Sequence, residues 1–245
     1  MNVALGLGMN RKRIKEIIAK APVSHSMELI DASYSLTKDQ KRILWLFLMG
    51  NNDEEEIDVD YDVGSMSFSL KAYATYYEVD NHEASRDILG ALKGFNGEEV
   101  VFYLPEESTK DEKATDNMPW LAKRSYRPKR GQYEVYFNPY LVPYLKQMKE
   151  VVDPKFAEID RLANPLHTRL YLKLFSCMKD REVIIDVQWI MERFKLPSTY
   201  SRYSNFKQRY LNSAIEAVKE LEGMEDLSYV EIKSGRKVES IKFEW

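Results

Sequence analysis

The chain has 245 residues, of which 44% are hydrophobic and 12% aromatic, and its formal net charge is −3. This composition is typical of a globular protein and excludes an intrinsically disordered chain. Cys177 is the single cysteine, so an intramolecular disulfide framework is excluded. No apolar stretch approaches the roughly 20 residues that span a bilayer. We therefore expect a cytoplasmic protein that has no membrane partner.

Residues 1–23 match no pattern of a domain core, and we assign them to an N-terminal arm. Within this arm, the segment Arg11 to Lys20 can form a basic amphipathic helix or remain a mobile extension. The arm has no apolar run of signal-peptide length after its basic residues.

The first half of the chain follows the element order of a winged helix-turn-helix. The predicted elements are a helix at Lys38 to Met49, a strand at Ser67 to Leu70, a helix at Lys71 to Tyr77, a break at Asp80-Asn81, a helix at Glu83 to Phe95, and paired strands at Glu99 to Tyr103 and Tyr133 to Phe137. In this interpretation the two paired strands form a long wing that an insertion interrupts.

Charged residues are segregated between the predicted elements. We expect two acidic runs to be solvated loops: the residues from Asp53 to Asp62, and the insertion from Pro105 to Pro119. A basic cluster without an intervening acid follows, and we expect it near a DNA backbone or a dimer interface. Its members are Lys123, Arg124, Arg127, Lys129 and Arg130.

The second half of the chain repeats the order of the first. A linker is expected at Lys149 to Ala157, where Asp153-Pro154 interrupts the helical pattern. The elements that follow are a helix at Thr168 to Met178, a strand at Val183 to Ile185, a helix at Val187 to Phe194, a break at Leu196 to Ser198, a long helix at Asn205 to Glu222, and strands at Leu227 to Ile232 and Val238 to Trp245 around the turn Ser234-Gly235-Arg236.

The repeated order predicts an α+β protein built from tandem winged helix-turn-helix domains with an internal repeat. We place the first domain at residues 24–149 and the second at 150–245. Two such domains would bind successive segments of double-stranded DNA.

The long C-terminal helix has one apolar and one polar side. Its predicted inward residues are Phe206, Tyr210, Ala214, Ala217, Val218 and Leu221. The opposite side presents Arg202, Asn205, Gln208, Arg209 and Asn212, where arginine can pair with guanine and asparagine or glutamine with adenine. Lys207 lies at the flank, in a position for a phosphate contact, and Ser204 is the expected N-cap. Periodicity alone leaves a recognition helix and an ordinary amphipathic helix equally open.

The corresponding helix of the first half carries a weaker signal. We expect Ile88, Leu89, Leu92 and Phe95 to face inward, and Arg86, Asp87 and Lys93 to face outward. Arg86 is the candidate for base contact, with Ser85 and Lys93 as phosphate partners. Glu83 and Asp87 would repel the DNA backbone, so this helix can bind weakly or serve another purpose. In the second wing, the candidates for phosphate contact are Lys233, Arg236 and Lys237.

From Ser26 to Trp245 the chain resembles the iteron-binding plasmid replication initiators, the Rep family built from two winged-helix domains. The joint order of several short motifs carries the resemblance. They are Glu28-Leu29-Ile30-Asp31-Ala32-Ser33-Tyr34-Ser35-Leu36-Thr37 with Asp39-Gln40-Lys41-Arg42, Glu83-Ala84-Ser85-Arg86-Asp87-Ile88, Gly97-Glu98-Glu99-Val100-Val101-Phe102-Tyr103, Asn138-Pro139-Tyr140-Leu141-Val142-Pro143, Arg169-Leu170-Tyr171, Tyr200-Ser201-Arg202, Phe206-Lys207-Gln208-Arg209 and Gly235-Arg236-Lys237.

The resemblance implies a bacterial protein that acts at plasmid DNA. Members of this family bind tandem origin repeats as monomers and open the adjacent duplex with the host initiator and helicase. Many also dimerise and repress their own gene at an inverted-repeat operator, and host chaperones are possible further partners. The resemblance also implies that the second domain is the main DNA-reading domain, whereas the first makes a second DNA contact and contributes to dimerisation. Arg202, Lys207 and Arg209 stand at basic positions of the family motif. Gln208 departs from the motif, so we expect a different target sequence.

Three rival classes follow from the same residues. An enzyme is disfavoured because His25, His82 and His167 lie far apart and no glycine-rich phosphate loop occurs, so we expect no catalytic residue, metal or cofactor. A dedicated winged-helix repressor without an initiation role would present the same DNA-contacting surface. A protein-interaction module would show no salt-dependent affinity for DNA.

Overall fold

The computed structural model describes residues 11–20, 28–52, 56–127 and 131–245. Asp53, Glu54 and Glu55 of the acidic run, Lys129 and Arg130 of the basic cluster, His25, and the remainder of the N-terminal arm lie outside these residues. The chain divides into two compact units. We call residues 1–29 and 36–154 the first domain, and residues 30–35 and 155–245 the second domain. Among the described residues, no helix is long and apolar enough to cross a membrane.

The first domain contains six helices and six strands among the described residues, and the last two residues of α2 belong to the second domain. The elements are α1 (Arg11–Lys20), α2 (Glu28–Asp31), α3 (Lys38–Met49), β1 (Ile57–Asp60), β2 (Ser65–Ser69), α4 (Leu70–Tyr76), α5 (Asn81–Gly94), β3 (Glu99–Tyr103), β4 (Thr115–Pro119), β5 (Leu121–Arg127), β6 (Gln132–Phe137) and α6 (Val142–Val152). Side-chain caps set three helix starts: Thr37 forms a capping box with Gln40, Ser69 caps α4, and Asp80 caps α5.

The second domain repeats the pattern on a shorter length of chain. Its elements are α7 (Phe156–Arg161), α8 (Pro165–Phe175), β7 (Glu182–Asp186), α9 (Val187–Arg193), α10 (Tyr203–Phe206), a π-helical segment (Lys207–Leu211), α11 (Asn212–Lys219), β8 (Ser228–Ser234) and β9 (Lys237–Glu244). Asn164 caps α8, which has Pro165 in its first turn, and Asp186 caps α9. A 3₁₀ turn at Asp153–Lys155 separates α6 from α7, at the Asp153-Pro154 interruption that the sequence predicts. The helix α7 itself was not predicted.

Sheet topology shows which strands correspond in the two domains. The second domain has the antiparallel order β7-β9-β8, and the first contains β2-β6-β5 within the order β1-β2-β6-β5. In each case the strand before the helix-turn-helix pairs with the last strand of the wing hairpin. The prediction of tandem winged helix-turn-helix domains is confirmed.

The predicted pairing of the first wing is wrong. β3 pairs with β4, from Glu99 opposite Pro119 to Tyr103 opposite Thr115, and the wing is the hairpin of β5 and β6. Only Thr115–Pro119 of the insertion is a strand, whereas Glu106, Glu107, Asp111 and Glu112 lie exposed in the connection between β3 and β4, as expected for a solvated acidic loop. The strand β4 was not predicted because its sequence, Thr-Asp-Asn-Met-Pro, is polar and almost wholly exposed. It therefore lacks the alternation of apolar and polar residues that marks a half-buried strand.

The remainder of the acidic run is also structured, contrary to the expectation of a solvated loop. β1 is an edge strand that buries Ile57 and Val59 and turns Asp58 and Asp60 outward. The basic helix α1 packs here: Arg11 pairs with Asp60, and Lys15 pairs with Asp62 at 2.7 Å.

Beneath these ion pairs, Ile14 is buried against Val63, with Ile18 and Tyr136 at the edge of the cluster. Of the two alternatives for Arg11 to Lys20, the amphipathic helix is therefore correct, and part of the acidic run anchors it.

Candidate nucleic-acid interface

The recognition helix, as we call residues 203–219, is one continuous helix formed by α10, the π-helical segment and α11. It is anchored in the second domain by a buried row. The row comprises Phe206, Tyr210, Leu211, Ala214, Ile215 and Val218. Tyr210 also meets the ring of Phe194, at the end of α9, with centroids 6.4 Å apart. This packing holds the helix against the preceding helix of the helix-turn-helix.

Two details of this helix differ from the sequence prediction. Its N-cap is Arg202, which makes no side-chain cap, so Ser204 lies within the first turn and the predicted N-cap is wrong. The π-helical segment adds one residue to a turn and shifts the register of the following residues. Leu211 and Ile215 consequently join the buried row, whereas Ala217 is half-buried.

The opposite side of the recognition helix is polar and solvent-exposed. Arg202, Gln208, Arg209 and Asn212 are exposed, and Asn205 is half-buried. Asn205 donates a hydrogen bond to the carbonyl of Thr199, and Asn212 accepts one from the hydroxyl of Tyr229. Within the described parts of the chain, the side chains of Gln208 and Arg209 make no hydrogen bond or ion pair. These two side chains remain available to an external ligand.

The side chain of Lys207 forms an ion pair with the wing. Its ammonium donates to the carboxylate of Glu231 on β8 at 2.7 Å, and the hydroxyl of Tyr203 donates to the same oxygen at 3.0 Å. The hydrogen bond to Glu231 raises the pKa of Lys207, and the hydrogen bond from Lys207 lowers the pKa of Glu231. Both groups are therefore charged at neutral pH, and Glu231 offsets the charge of a residue that the sequence assigns to phosphate contact.

Replacing Glu231 with glutamine is expected to strengthen binding to duplex DNA of any sequence. The substitution removes a negative charge and releases Lys207, while the amide oxygen can still accept from Tyr203. The slope of log affinity against log salt should steepen by about one unit, as for one added phosphate contact. Fluorescence anisotropy on a random duplex over a salt series measures this slope.

Asp226→Asn, the same charge change in the loop before β8, is the control and should leave the slope unchanged. Weaker binding by the Glu231 variant would contradict the expectation.

The second wing supplies further cations. β8 and β9 are joined by a tight turn at Gly235 and Arg236, where Gly235 has φ +60°, and Lys233, Arg236 and Lys237 are exposed around it. A groove of about 500 Å³ separates this wing from the helix-turn-helix. Its lining includes Gln188, Ser201, Tyr203, Arg236 and Lys237 together with the acids Asp186 and Glu239. The groove thus brings Arg236 and Lys237 of the wing close to Ser201 and Tyr203, at the start of the recognition helix.

In the first domain, α5 occupies the equivalent place but presents a different surface. Arg86 is exposed and pairs with Glu83 at 3.6 Å and with Asp87 at 3.2 Å, so acids of its own helix offset its charge. Ser85 is half-buried. Lys93 is exposed near the end of the helix.

The predicted faces of α5 are wrong at two residues. Asp87 points inward, with 5% exposure, and pairs with Arg42 of α3 at 3.1 Å. Leu89 points outward, with 47% exposure. Ala84, Ile88 and Ala91 form the buried face, and Asp87 can join it because Arg42 offsets its charge.

A shallow groove in the first domain lies between α5 and the wing strand β5. Its volume is about 300 Å³, and Leu89, Lys93, Arg124 and Tyr126 line it. Arg124 donates to the carbonyl of Leu92, which attaches β5 to the end of α5. The sequence singled out Arg124 only as a member of a basic cluster and missed Tyr126, because the strand register that places both beside Lys93 was not predicted.

Two family models match this chain. Residues 22–174 match the model described as Initiator Replication protein, WH1, and residues 186–245 match that of Initiator Rep protein, WH2. The chain belongs to the Rep family of winged-helix replication initiators. The predicted resemblance is confirmed. The WH1 match covers the first domain from residue 22 onward and continues through residues 155–174 of the second, and the WH2 match begins at the end of β7 and covers the rest of the second domain.

The chain is also similar to individual proteins and solved structures. An uncharacterised 27.6 kDa protein of Escherichia coli is 28% identical over 209 residues, which cover 82% of this chain and 86% of the relative. Among solved structures, the Pi initiator protein in complex with iteron DNA matches with a TM-score of 0.54 and 14% identity, covering 94% of this chain and 93% of the other. Domains 2 and 3 of RctB match with a TM-score of 0.47 and 13% identity, covering 86% and 82%. The Pi structure supports the fold.

Proposed function

We propose that this Rep-family protein is a plasmid replication initiator that binds tandem origin repeats as a monomer and represses its own gene as a dimer at an inverted repeat. The second domain reads the bases through the recognition helix, and its wing contacts phosphates. The first domain contacts the neighbouring segment of duplex and contributes to dimerisation. No catalytic residue takes part, and strand opening draws on binding energy and DNA deformation together with the host initiator and helicase.

The exposed row of the recognition helix carries this proposal. No acidic residue occurs from Arg202 to Ile215, although an ordinary solvated helix face normally carries glutamate among its lysines. Gln208 and Arg209 are side chains that pair with base edges in the major groove. The wing adds Lys233, Arg236 and Lys237 on the same domain, where cations suit phosphate contact. A protein-interaction helix would have no need of this combination.

The first domain supports a weaker, less specific contact. Arg86 must share its charge with Glu83 and Asp87, so it is a poorer base reader than Arg209. Lys93 and Arg124 flank a groove whose lining also includes the apolar Leu89 and Leu92 and the aromatic Tyr126. This mixture suits contact with a sugar-phosphate backbone on one side and with a protein surface on the other.

The test begins with selection of duplexes from a random library by the full-length protein. The selected site is then placed in two DNAs, one with tandem copies and one with inverted copies, and binding to each is followed by mobility shift and sedimentation. We expect one protein per tandem copy and a dimer on the inverted pair. If six to ten phosphates are contacted, affinity should fall by roughly 10³ to 10⁵ between about 50 and about 200 mM salt.

Two other outcomes would replace the proposal. Binding to the inverted pair alone would favour a dedicated repressor that uses the same two domains. Failure to select any sequence, combined with an affinity that salt does not change, would assign the recognition helix to protein contacts.

A further inference from the structure

Arg169 is a buried cation that the DNA-binding surface does not use. It lies on α8, in the motif Arg169-Leu170-Tyr171, and is 4% exposed. No carboxylate of the described residues forms a hydrogen bond or ion pair with its guanidinium, although a buried charge ordinarily requires a compensating group. Burial lowers the pKa of Arg169, in keeping with this environment.

Backbone carbonyls supply the compensation instead. The guanidinium donates to the carbonyl of Ala32 at 2.6 Å and to that of Ile30 at 3.1 Å, and it also donates to the carbonyls of Tyr34 and Arg193. It lies between two aromatic rings, with its central carbon 3.8 Å from the ring centre of Tyr34 and 4.5 Å from that of Phe194. Arg169 therefore joins two chain segments that are far apart in sequence.

The first of these segments is residues 30–35, which we call the strap and which belongs to the second domain. The second is the end of α9, where the turn of the helix-turn-helix begins. The strap binds this end directly as well. The hydroxyl of Ser33 donates to the carbonyl of Glu192 at 2.7 Å, and the amide of Tyr34 donates to the carbonyl of Arg193 at 3.2 Å.

The turn that the strap holds is conformationally strained. Lys195 has φ +47°, a left-handed conformation that a residue with a side chain adopts at a cost. The amide of Leu196 closes the turn on the carbonyl of Met191 at 3.0 Å. Phe194, which stacks on Arg169, also meets Tyr210 in the buried row of the recognition helix. Contacts thus run from the strap through Arg169 and Phe194 to the recognition helix.

We propose that Arg169 is a positioning residue for DNA reading: by clamping the strap onto the end of α9, it sets the angle at which the recognition helix meets the major groove. The inference rests on the proposed function, because it assumes that residues 203–219 read bases. The strap, six residues near the N-terminus, would then help to position the recognition helix, although none of its residues is expected to touch DNA.

Arg169→Lys in the full-length chain tests the clamp, because lysine keeps the charge but its single ammonium cannot reach both chain segments. Hydrogen exchange measured by mass spectrometry should accelerate about tenfold or more at residues 30–35 and 193–196, as expected for loss of charged hydrogen bonds. Affinity for the selected duplex should fall about tenfold, as expected when one side chain loses its contact with a base. Affinity for random duplex should stay within about twofold, since the phosphate contacts are unchanged.

Lys173→Met is the matched control. Lys173 lies one turn further along α8 and pairs with Asp31 at 2.8 Å, so this variant also removes a contact to the strap, but a partly exposed one. It should leave the ratio of specific to random affinity unchanged. A role limited to stability would lower both affinities of the Arg169 variant equally, because it would only reduce the folded fraction.

Wild-type exchange rates and an unchanged affinity ratio in Arg169→Lys would overturn the proposal. If that variant does not fold, Ser33→Ala removes only the hydroxyl contact to Glu192 and should show the same two effects in weaker form. If the unmodified protein shows no sequence preference, the proposed function fails together with the role in reading. The exchange rates would then still show whether Arg169 holds the strap on α9. Failure of the proposed function can therefore be distinguished from failure of the clamp.

Discussion

Replacement of Arg209 by alanine is expected to weaken binding to the selected duplex by about 10- to 100-fold, or about 1–3 kcal/mol, and to relax the preference at one base pair. Arg209 is exposed on the recognition helix and makes no ion pair or hydrogen bond through its side chain within the described residues. Its guanidinium is therefore free to form two hydrogen bonds with O6 and N7 of a guanine. Because no contact of the fold is lost, thermal unfolding should be unchanged.

Competition with every single-base variant of the selected site measures this effect. Lys219→Ala provides the control, since it removes a cation from the other end of the same helix, beyond the exposed row. An equal loss on all duplexes would show that Arg209 contacts phosphate instead of a base. Parental affinity in the variant would show that the recognition helix does not read DNA.

The second domain could be predicted almost completely from its sequence. Its strands β7 and β9 bury Ile185, Ile241 and Phe243 on one side, and the recognition helix buries Phe206 and Tyr210 one helical turn apart. Such regular alternation and spacing indicate strand and helix because one face of each element must meet the same core. The exposed row was predictable for the same reason, as the side opposite the buried one.

Strand pairing in the first domain was not predictable in the same way. β3 and β6 each have the pattern of a half-buried strand, and the sequence gives no sign that β4 and β5 lie between them as their partners. Pairing depends on contacts between distant segments, whereas periodicity reports only local burial. The groove beside Lys93 escaped prediction because it depends on that pairing.

Charged contacts between elements explain the other errors. Asp87 looked like a surface residue because acids are seldom buried without a partner, and its partner Arg42 lies on another helix. Glu231 had no marked role in the sequence, yet it pairs with Lys207 across the recognition helix and the wing. The clamp of Arg169 on the strap spans more than a hundred residues of chain, and no pattern of spacing can indicate such a contact.

The pair of Arg42 and Asp87 leads to the second large effect, which concerns stability. Asp87→Ala is expected to destabilise the first domain by about 3–5 kcal/mol, because the guanidinium of Arg42, whose side chain is only 13% exposed, would lose its carboxylate. Arg42 stacks on the ring of Tyr77, with its central carbon 4.6 Å from the ring centre, so it cannot turn to solvent without losing that contact. Urea unfolding, monitored through hydrogen exchange of the amides in α3 and α5, measures the loss of stability.

Glu83→Ala is the matched control, since it removes another acid of α5 that pairs with Arg86 at 3.6 Å on the exposed side. An exposed pair of this kind contributes about 1 kcal/mol at most.

The double variant Arg42→Met with Asp87→Leu removes both charges of the pair and should recover most of the stability, because apolar side chains of similar size avoid the desolvation cost. If Asp87→Ala costs no more than Glu83→Ala, solvent must reach Arg42, and the inward position of Asp87 would then be wrong. If instead the double variant is as unstable as Asp87→Ala, the loss comes from packing of α5 on α3 and not from an uncompensated charge.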